Sequence, residues 1–572
     1  MKQKYNFALL KSFICSSICF FGVSLFPVCF AAEQVPLPRI DAMPSEPSPY
    51  YLRDWKKVAR DYVEFVLDET KRGDLLPLVK WNDNSSSQGM FILPSYVGRK
   101  DRDTETINGM ALVVTGSLMG IDMTNYKGIN FVRLVSDYYY CKPEGMFGNY
   151  KGGCGVTEYW YKILPNLLFY HICDRYPHEE NMKAKMLHIA DQLYRSSLAL
   201  GGNKEPWNVP EYEHWSFDFA MMQARNDRHW KEAGAAAAYG WLGYMAFTIG
   251  GNQNHLDVAD WAMEYLLKRD SEKNPLYEIM LRYAPITVAR MNAELDRNYD
   301  LDKMLRWCIG ISDNRYGWGV ISGERWGEYD CSGLVGSTTD TGGYAFMMNT
   351  FQAAGMSVPI VRYDQPYARA IGKWMLNLAN ASRLFYANGL GAELQDNKAW
   401  CDENDPNYCL AYEGLRKHSR DNIGKRPYAT GDAMGHRFPS NLGLYGSSHV
   451  GYLAAVVNRT NVEKILQLDC LATDFFHEEA YSTYLYYNPF SECKKMKIKV
   501  GTQPVDLYDS ISQTFLKRNI SSTAVFNIMP DSAVVLVLTP AGGKVSYQKG
   551  KMIIDEIVVD YRHNRKNKKV KK

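Results

Sequence analysis

Four acidic residues, Glu324, Glu328, Asp330 and Asp340, stand close together in two adjoining stretches, WGVISGERWGEYD (318–330) and STTDTGGY (337–344), among tryptophans and glycines. Cleaving a glycosidic bond takes two carboxyls in different protonation states flanking that bond, and sugar rings stack on aromatic side chains. This is the densest match to that requirement in the chain. It makes Glu324, Glu328 and Asp340 candidates for acid/base work. Trp326 and Tyr344 would line or stack in the cleft, and Arg325 would hold an anionic group. The plainer roles stand beside these: Asp340 also fits a helix N-cap and Asp330 a structural ion pair.

Two further clusters carry usable groups. RNDRHWKE (225–232) leads into the small-residue run AGAAAA, so His229, Trp230 and Glu232 fall at a helix entrance, where the dipole favours an anion. Glu232 would serve equally as a first-turn dipole partner. In the segment 389–447, Glu393 follows Gly391-Ala392, and RPYATGDAMGHR (426–437) brings Asp432, His436 and Arg437 together. Asp432 is the fourth catalytic candidate, and His436 with Arg437 would clamp a carboxylate, since a guanidinium reads one through two parallel hydrogen bonds. Asp432, His436 and His449 make a thin metal-ligand set, so the expectation is catalysis without metal or cofactor. There is no GxGxxG opening a helix, no P-loop, no GxSxG and no HExxH, which argues against nucleotide and serine-hydrolase chemistry.

The elements that must position these groups are mainly helical. Apolar residues recur at three- and four-residue spacing in 55–67, 161–173, 182–198, 233–247, 256–267 and 360–378, joined by loops rich in Gly, Asn, Trp and Tyr. The helices arrive in pairs without a fixed repeat, which favours a closed (α/α)6-type toroid of degenerate hairpins over a consensus repeat array. The stretch 389–447 breaks the period and reads as a long functional loop. After about residue 497 short β-branched runs at 523–528, 533–539, 544–547 and 552–559 predict a small C-terminal antiparallel β domain. The expected division is therefore 1–32 signal peptide, 33–496 helical toroid, 497–562 β-rich domain and 563–572 basic tail.

The signal assignment rests on Lys2 and Lys4, the apolar run from Phe7, and the small residues before a cut after Ala31 or Ala32. It predicts export, with periplasmic release first. A membrane anchor and a surface lipoprotein on Cys29 are the alternatives, the latter weakened by Phe26-Pro27-Val28 ahead of that cysteine. Cys141/Cys154 and Cys401/Cys409 are the close pairs expected to bridge in an oxidising compartment. The formal charge of +3 is nearly balanced and much of the excess lies in the tail, so no nucleic-acid partner is expected. The informative excess is aromatic, with 40 tyrosines and 13 tryptophans.

Taken together, the helical pairs, the aromatic and acidic loops and the trailing β region over about 50–562 resemble (α/α)-toroid carbohydrate-active enzymes. More narrowly, RYGWGVISGERWG (315–327) and TGGYAFMMNTF (341–351) are similar to glycoside hydrolase family 154, exo-acting β-glucuronidases of gut bacteria. The resemblance implies a hydrolase of uronic-acid-containing glycans; it transfers no catalytic residue. An oligo- or polysaccharide substrate is expected, and homo-oligomerisation is left open. Two alternatives remain. One is a polysaccharide lyase working through His229, His436, Tyr344 and Arg437, with a Tyr or His base and a cation neutralising the uronate. The other is a non-catalytic glycan-binding protein.

Overall fold

The computed structural model describes residues 33–82, 90–98, 105–149, 154–155, 157–339, 342–418, 427–431 and 439–563. The signal segment and the end of the basic tail lie outside them, as do Asp340, Asp432, His436 and Arg437. No helix among the described residues is long and apolar enough to cross a membrane.

Six helices form the centre: α1 (Thr106–Leu118), α2 (Tyr159–Arg175), α3 (Ala235–Gly250), α4 (Tyr283–Glu294), α5 (Met347–Ser357) and α6 (Val450–Val456). Each packs on the next, and α6 packs back on α1, so the series closes on itself. Their sequences explain the position. All of α5 and α6 is buried, as are 106–117 of α1 and Ala235 to Ala246 of α3. A helix apolar on every side is stable only when covered on every side.

The cover is a second set of helices, most with a buried stripe and a wet face, whereas Ala368–Ala381 is buried except at Arg369. Trp55–Val66 packs on α6 and α1, Phe131–Tyr138 on α1, Met182–Ala199 on α2 and α3, Gln253–Lys268 on α3, Leu301–Ile309 on α4 and Ala368–Ala381 on α5. The period expected over 360–378 divides into Ile360–Tyr363 and Ala368–Ala381, with a single 3-10 turn at Gln365–Tyr367 between them. Pro366 lacks the amide that a continuous helix would use.

Between α4 and α6 the chain builds a five-stranded antiparallel sheet: β1 (Trp318–Val320), β2 (Val335–Ser337), β3 (Tyr344–Phe346), β4 (Gly414–Arg416) and β5 (Tyr428–Thr430), in that order across the sheet. Strands of three residues are too short to show alternation in sequence. The segment 389–447 therefore contributes two strands as well as the helices Lys398–Asn404 and Leu444–Ser447. Strand β3 runs directly into α5, whose first amide, on Met347, donates to the Glu413 carbonyl at 3.0 Å.

The C-terminal part is a six-stranded antiparallel sheet that opens at Val457, directly after α6, and packs on Ala368–Ala381. A three-stranded sheet follows, in which the run 552–559 is two strands, Lys551–Ile554 and Ile557–Asp560. Asp555 and Glu556 both take left-handed backbone between them, as a tight hairpin demands.

Of the two expected disulfides, Cys141–Cys154 is present, with a Cα–Cα distance of 5.1 Å. Its loop is held to α2 by a buried ion pair between Lys162 and Glu144, whose other oxygen accepts the Gly155 amide at 3.1 Å. Cys401 and Cys409 are instead buried thiols, and Cys409 Sγ donates to Asp405 Oδ1 at 3.2 Å.

Ring closure depends on one close approach. Thr115 Oγ1 of α1 donates to the Ser448 carbonyl at 2.6 Å and accepts the Gly451 amide at 3.1 Å. A Cβ on Gly451 would stand 2.6 Å from Thr115 Cα, which is backbone and cannot swing away. Gly451→Ala, a change that stabilises an exposed helix by about 1 kcal/mol, should here destabilise by about 1–3 kcal/mol through overpacking. Denaturant unfolding gives the sign, and a higher midpoint for the variant would refute this account of the seam.

Candidate active site

Among the described residues, five of the six central helices begin beside a glutamate. Glu105 and Glu158 immediately precede α1 and α2. The Glu232 carbonyl accepts the first amide of α3 at 2.9 Å. Glu278 precedes the 3-10 turn Met280–Arg282 that continues into α4, and Glu413 receives the first amide of α5. Glu158 and Glu278 are near enough to raise the proton affinity of Glu232, and Glu158 and Glu105 to raise that of Glu278. Helix N-termini favour the charged form of such carboxyls. Burial and mutual repulsion oppose it.

The cation among them is Arg315, in the turn between Leu301–Ile309 and β1. Its Nη1 donates to Glu158 Oε2 at 2.9 Å and to Glu232 Oε1 at 3.1 Å. The guanidinium carbon lies 3.8 Å from the Tyr277 ring centre and 4.9 Å from that of Trp230. Two aromatic faces thus hold the cation where both carboxylates can reach it. Arg315 and Tyr316 have φ of 23° and 66°, a strained backbone that the surrounding contacts must maintain.

The carboxyls differ sharply in surroundings. Glu232 is 1 % exposed; its Oε2 accepts the Trp160 amide at 3.0 Å. Burial, then the charge of Glu158, pushes its proton affinity well above the usual carboxylate range despite Arg315 and that amide. Glu278 is also buried and is pushed up to about 7, chiefly by burial, against a hydrogen bond from Tyr277 and the charge of Arg315. It has φ of 49°, and its Oε2 has no hydrogen-bond partner among the described residues. Glu158 keeps a fifth of its side chain in solvent. Glu105 accepts from Ser95 Oγ at 3.0 Å and from Asn149 Nδ2 at 2.6 Å.

Ser95 links this cluster to the sheet side. Its carbonyl accepts the Leu444 amide at 2.8 Å, and the next residue, Tyr445, donates its hydroxyl to Glu413 in a buried bond. Nearby, the Arg416 guanidinium lies 5.1 Å from the centre of the Tyr344 ring. Such an arrangement offers a proton-holding carboxyl beside a part-exposed one, with aromatic walls.

The residues singled out from sequence fall into separate groups. Trp230 and Glu232 belong to the cluster, and His229 is exposed with its ring edge-on to Trp230 at 4.7 Å. Glu324, Arg325, Trp326 and Glu328 lie on or beside the two-stranded hairpin Arg325–Trp326/Tyr329–Asp330, next to the β2–β3 connection. Burial works against the charge of Glu324, but Lys417 at 2.9 Å and Trp326 Nε1 at 3.2 Å outweigh it and hold the carboxyl below its ordinary range. Glu328 and Arg325 are exposed, the arginine donating to the Glu328 carbonyl, and Trp326 is buried. Tyr344 is buried beneath Arg416, and Glu393 is exposed in the turn Ala392–Leu394. Asp340, Asp432, His436 and Arg437 lie outside the described residues.

Sequence reasoning missed Glu105, Glu158, Glu278, Tyr277 and Arg315 as site residues. The available signal was a glutamate immediately ahead of successive all-apolar helices, which reads as ordinary dipole compensation. No group of three or more His, Cys, Asp or Glu with metal-site geometry occurs among the described residues.

No protein-family model and no curated protein matches the chain. Among solved structures it is similar to a protein titled glycoside hydrolase, at 8% identity over 79% of this chain and 76% of that one with a TM-score of 0.33. It is also similar to a GH127 β-L-arabinofuranosidase from Geobacillus stearothermophilus T6, at 8% identity over 79% and 75% with a TM-score of 0.27. At these scores the likeness supplies no correspondence between residues.

Glu278 makes stability depend on pH. Its folded-state value of about 7 stands above the ordinary 4.5, so the folded protein keeps a proton that the unfolded chain releases. Stability from this group is full below pH 4.5, falls as pH rises toward 7 and is level above. Relative to Glu278→Gln, the wild type should lose about 3 kcal/mol across that window. Parallel unfolding curves for the two proteins between pH 4 and 8 would contradict this.

Proposed function

We propose that the chain is an exported glycoside hydrolase with an (α/α)6-toroid catalytic domain, acting on a uronic-acid-containing glycan and removing terminal β-glucuronate in the manner of family 154. One observation carries the catalytic part. Glu232, buried and proton-retaining, and Glu158, part-exposed, meet on a single nitrogen of Arg315. Cleavage needs a carboxylic acid and a carboxylate beside the same bond, and unequal burial is a direct way to separate two proton affinities.

In this reading Glu232 gives its proton to the glycosidic oxygen as the bond to the anomeric carbon breaks. Glu158 meets the anomeric carbon directly or through a water whose proton it accepts. Arg315 moderates the repulsion between the two carboxyls and releases charge to whichever is ionised. Aromatic walls from Trp230 and Tyr277 exclude water from the cation. The acidic-sugar part rests on the resemblance of 315–327 and 341–351 to family 154, and export rests on the N-terminal segment.

Two of the tyrosines near the cluster are poorly suited to serve as the base of an elimination. Burial raises the phenols of Tyr277 and Tyr445 well above their ordinary range, the reverse of what a proton-abstracting phenolate requires.

Glu232→Gln and Glu158→Gln should each lower kcat/KM by about 10²–10⁴ on an accepted aryl uronide or oligosaccharide, with unchanged circular dichroism and no near-ultraviolet absorbance from an unsaturated product. Retained turnover in both folded variants would reject the assignment of these carboxyls. An unsaturated product would reject hydrolysis.

A further inference from the structure

Beside the carboxyl cluster lies a pocket of about 330 Å³, walled by Trp230 and carrying Lys231, Lys273 and the Arg269–Glu213 pair, with Asp313 at its edge. It is built from the loops that lead into α3, α4 and β1, the same loops that supply Glu232, Glu278 and Arg315. We propose that this pocket is a subsite for an anionic sugar, bearing a carboxylate or a sulfate, adjoining the sugar whose bond is cleaved. The inference rests on the glycosidase reading and adds to it where a further anionic group, on the neighbouring sugar, sits.

Charge decides the placement. In the cluster Arg315 is already bonded to Glu158 and Glu232, with Glu278 and Glu105 close by, so a further substrate anion placed there would meet their repulsion. The neighbouring pocket presents cations instead. Arg269 pairs with Glu213 at 2.9 Å and, with the charges of Lys231 and Lys273 adding to it, holds that carboxyl below its ordinary range; neither lysine makes a salt bridge among the described residues. Both lysines are exposed, so their ammonium groups can turn to an incoming anion.

Trp230 joins the two regions. Its ring faces Arg315 in the cluster and also lines the pocket, and its indole Nε1 is buried with no hydrogen-bond partner among the described residues. An indole offers a sugar a flat face as well as a donor. The volume falls at the small end of ligand pockets, in keeping with a short stretch of glycan rather than a long chain.

The test uses the mature chain carrying Glu232→Gln, so that binding is read without turnover. Titration calorimetry at low salt would compare digalacturonate, a hyaluronan-derived disaccharide and a sulfated chondroitin disaccharide with the methyl esters of the first two and a desulfated form of the third. At least one acidic probe should bind tenfold or more tightly than its neutral form. Adding Lys231→Ala and Lys273→Ala together should remove that advantage and leave the affinity of the neutral form unchanged. The proposal is overturned if no acidic probe binds saturably, if acid and neutral forms bind alike, or if the lysine pair can be removed without loss. Failure of the hydrolase reading would show separately, as retained activity in the carboxyl variants or as an unsaturated product, while these affinities stayed measurable.

Discussion

Six helices that are apolar on nearly every side impose the main constraint on this protein. They cannot face water, so they must close on one another and be covered outside by further helices, most of them with one polar face to offer. Closure has a geometric consequence for chemistry. It gathers the starts of successive helices at one place, although those starts are far apart in sequence. Glu105, Glu158, Glu232 and Glu278 come together for that reason. The seam at Thr115, Ser448 and Gly451 is thus tied to the carboxyl cluster even though it touches none of its members.

The cluster is an electrostatic problem with an evident solution. Several carboxyls with one guanidinium among them cannot all ionise at neutral pH in a buried setting. The arrangement resolves this by unequal burial: Glu232 lies inside with its proton affinity well above the usual range, Glu278 lies inside with its own pushed up to about 7, and Glu158 remains in contact with solvent. Arg315, held between Tyr277 and Trp230 by a strained turn, fixes where the remaining negative charge is best tolerated.

The helical pairs, the trailing β region, the Cys141/Cys154 pairing and the place of Trp230 and Glu232 at a helix entrance were all legible in sequence. Periodicity marks helices that pack, and a short cysteine spacing in a Gly-rich loop marks a bridge. The five-stranded sheet was not legible, because β1 to β5 span three residues each and an alternation needs more. Nor were Glu158 and Glu278, since a single glutamate before a helix looks the same whether it compensates a dipole or meets three others across a ring. Arg315 lay inside the motif RYGWGVISGERWG, yet its partners are contributed by α2 and α3, long before it in the chain. The hairpin acids Glu324 and Glu328 stood out because they are adjacent in sequence. Proximity along a chain is a poor guide where the site is assembled from helix ends.

The Cys141–Cys154 bridge bears on when this assembly can form. It spans a separation of 13 residues and ends just before Glu158. In the chain-entropy account, closing a loop of that size before folding removes about 3 kcal/mol of disorder from the unfolded ensemble. The gain exists only where thiols are oxidised. A copy of the chain kept among reduced thiols would fold with its α2 entrance released from that bridge, leaving the Lys162–Glu144 pair and the hydrogen bonds of Asn166 to Phe147 and of Gln192 to Glu144 to hold the loop. Redox surroundings therefore act on the carboxyl-cluster end of the molecule, through the segment that delivers Glu158.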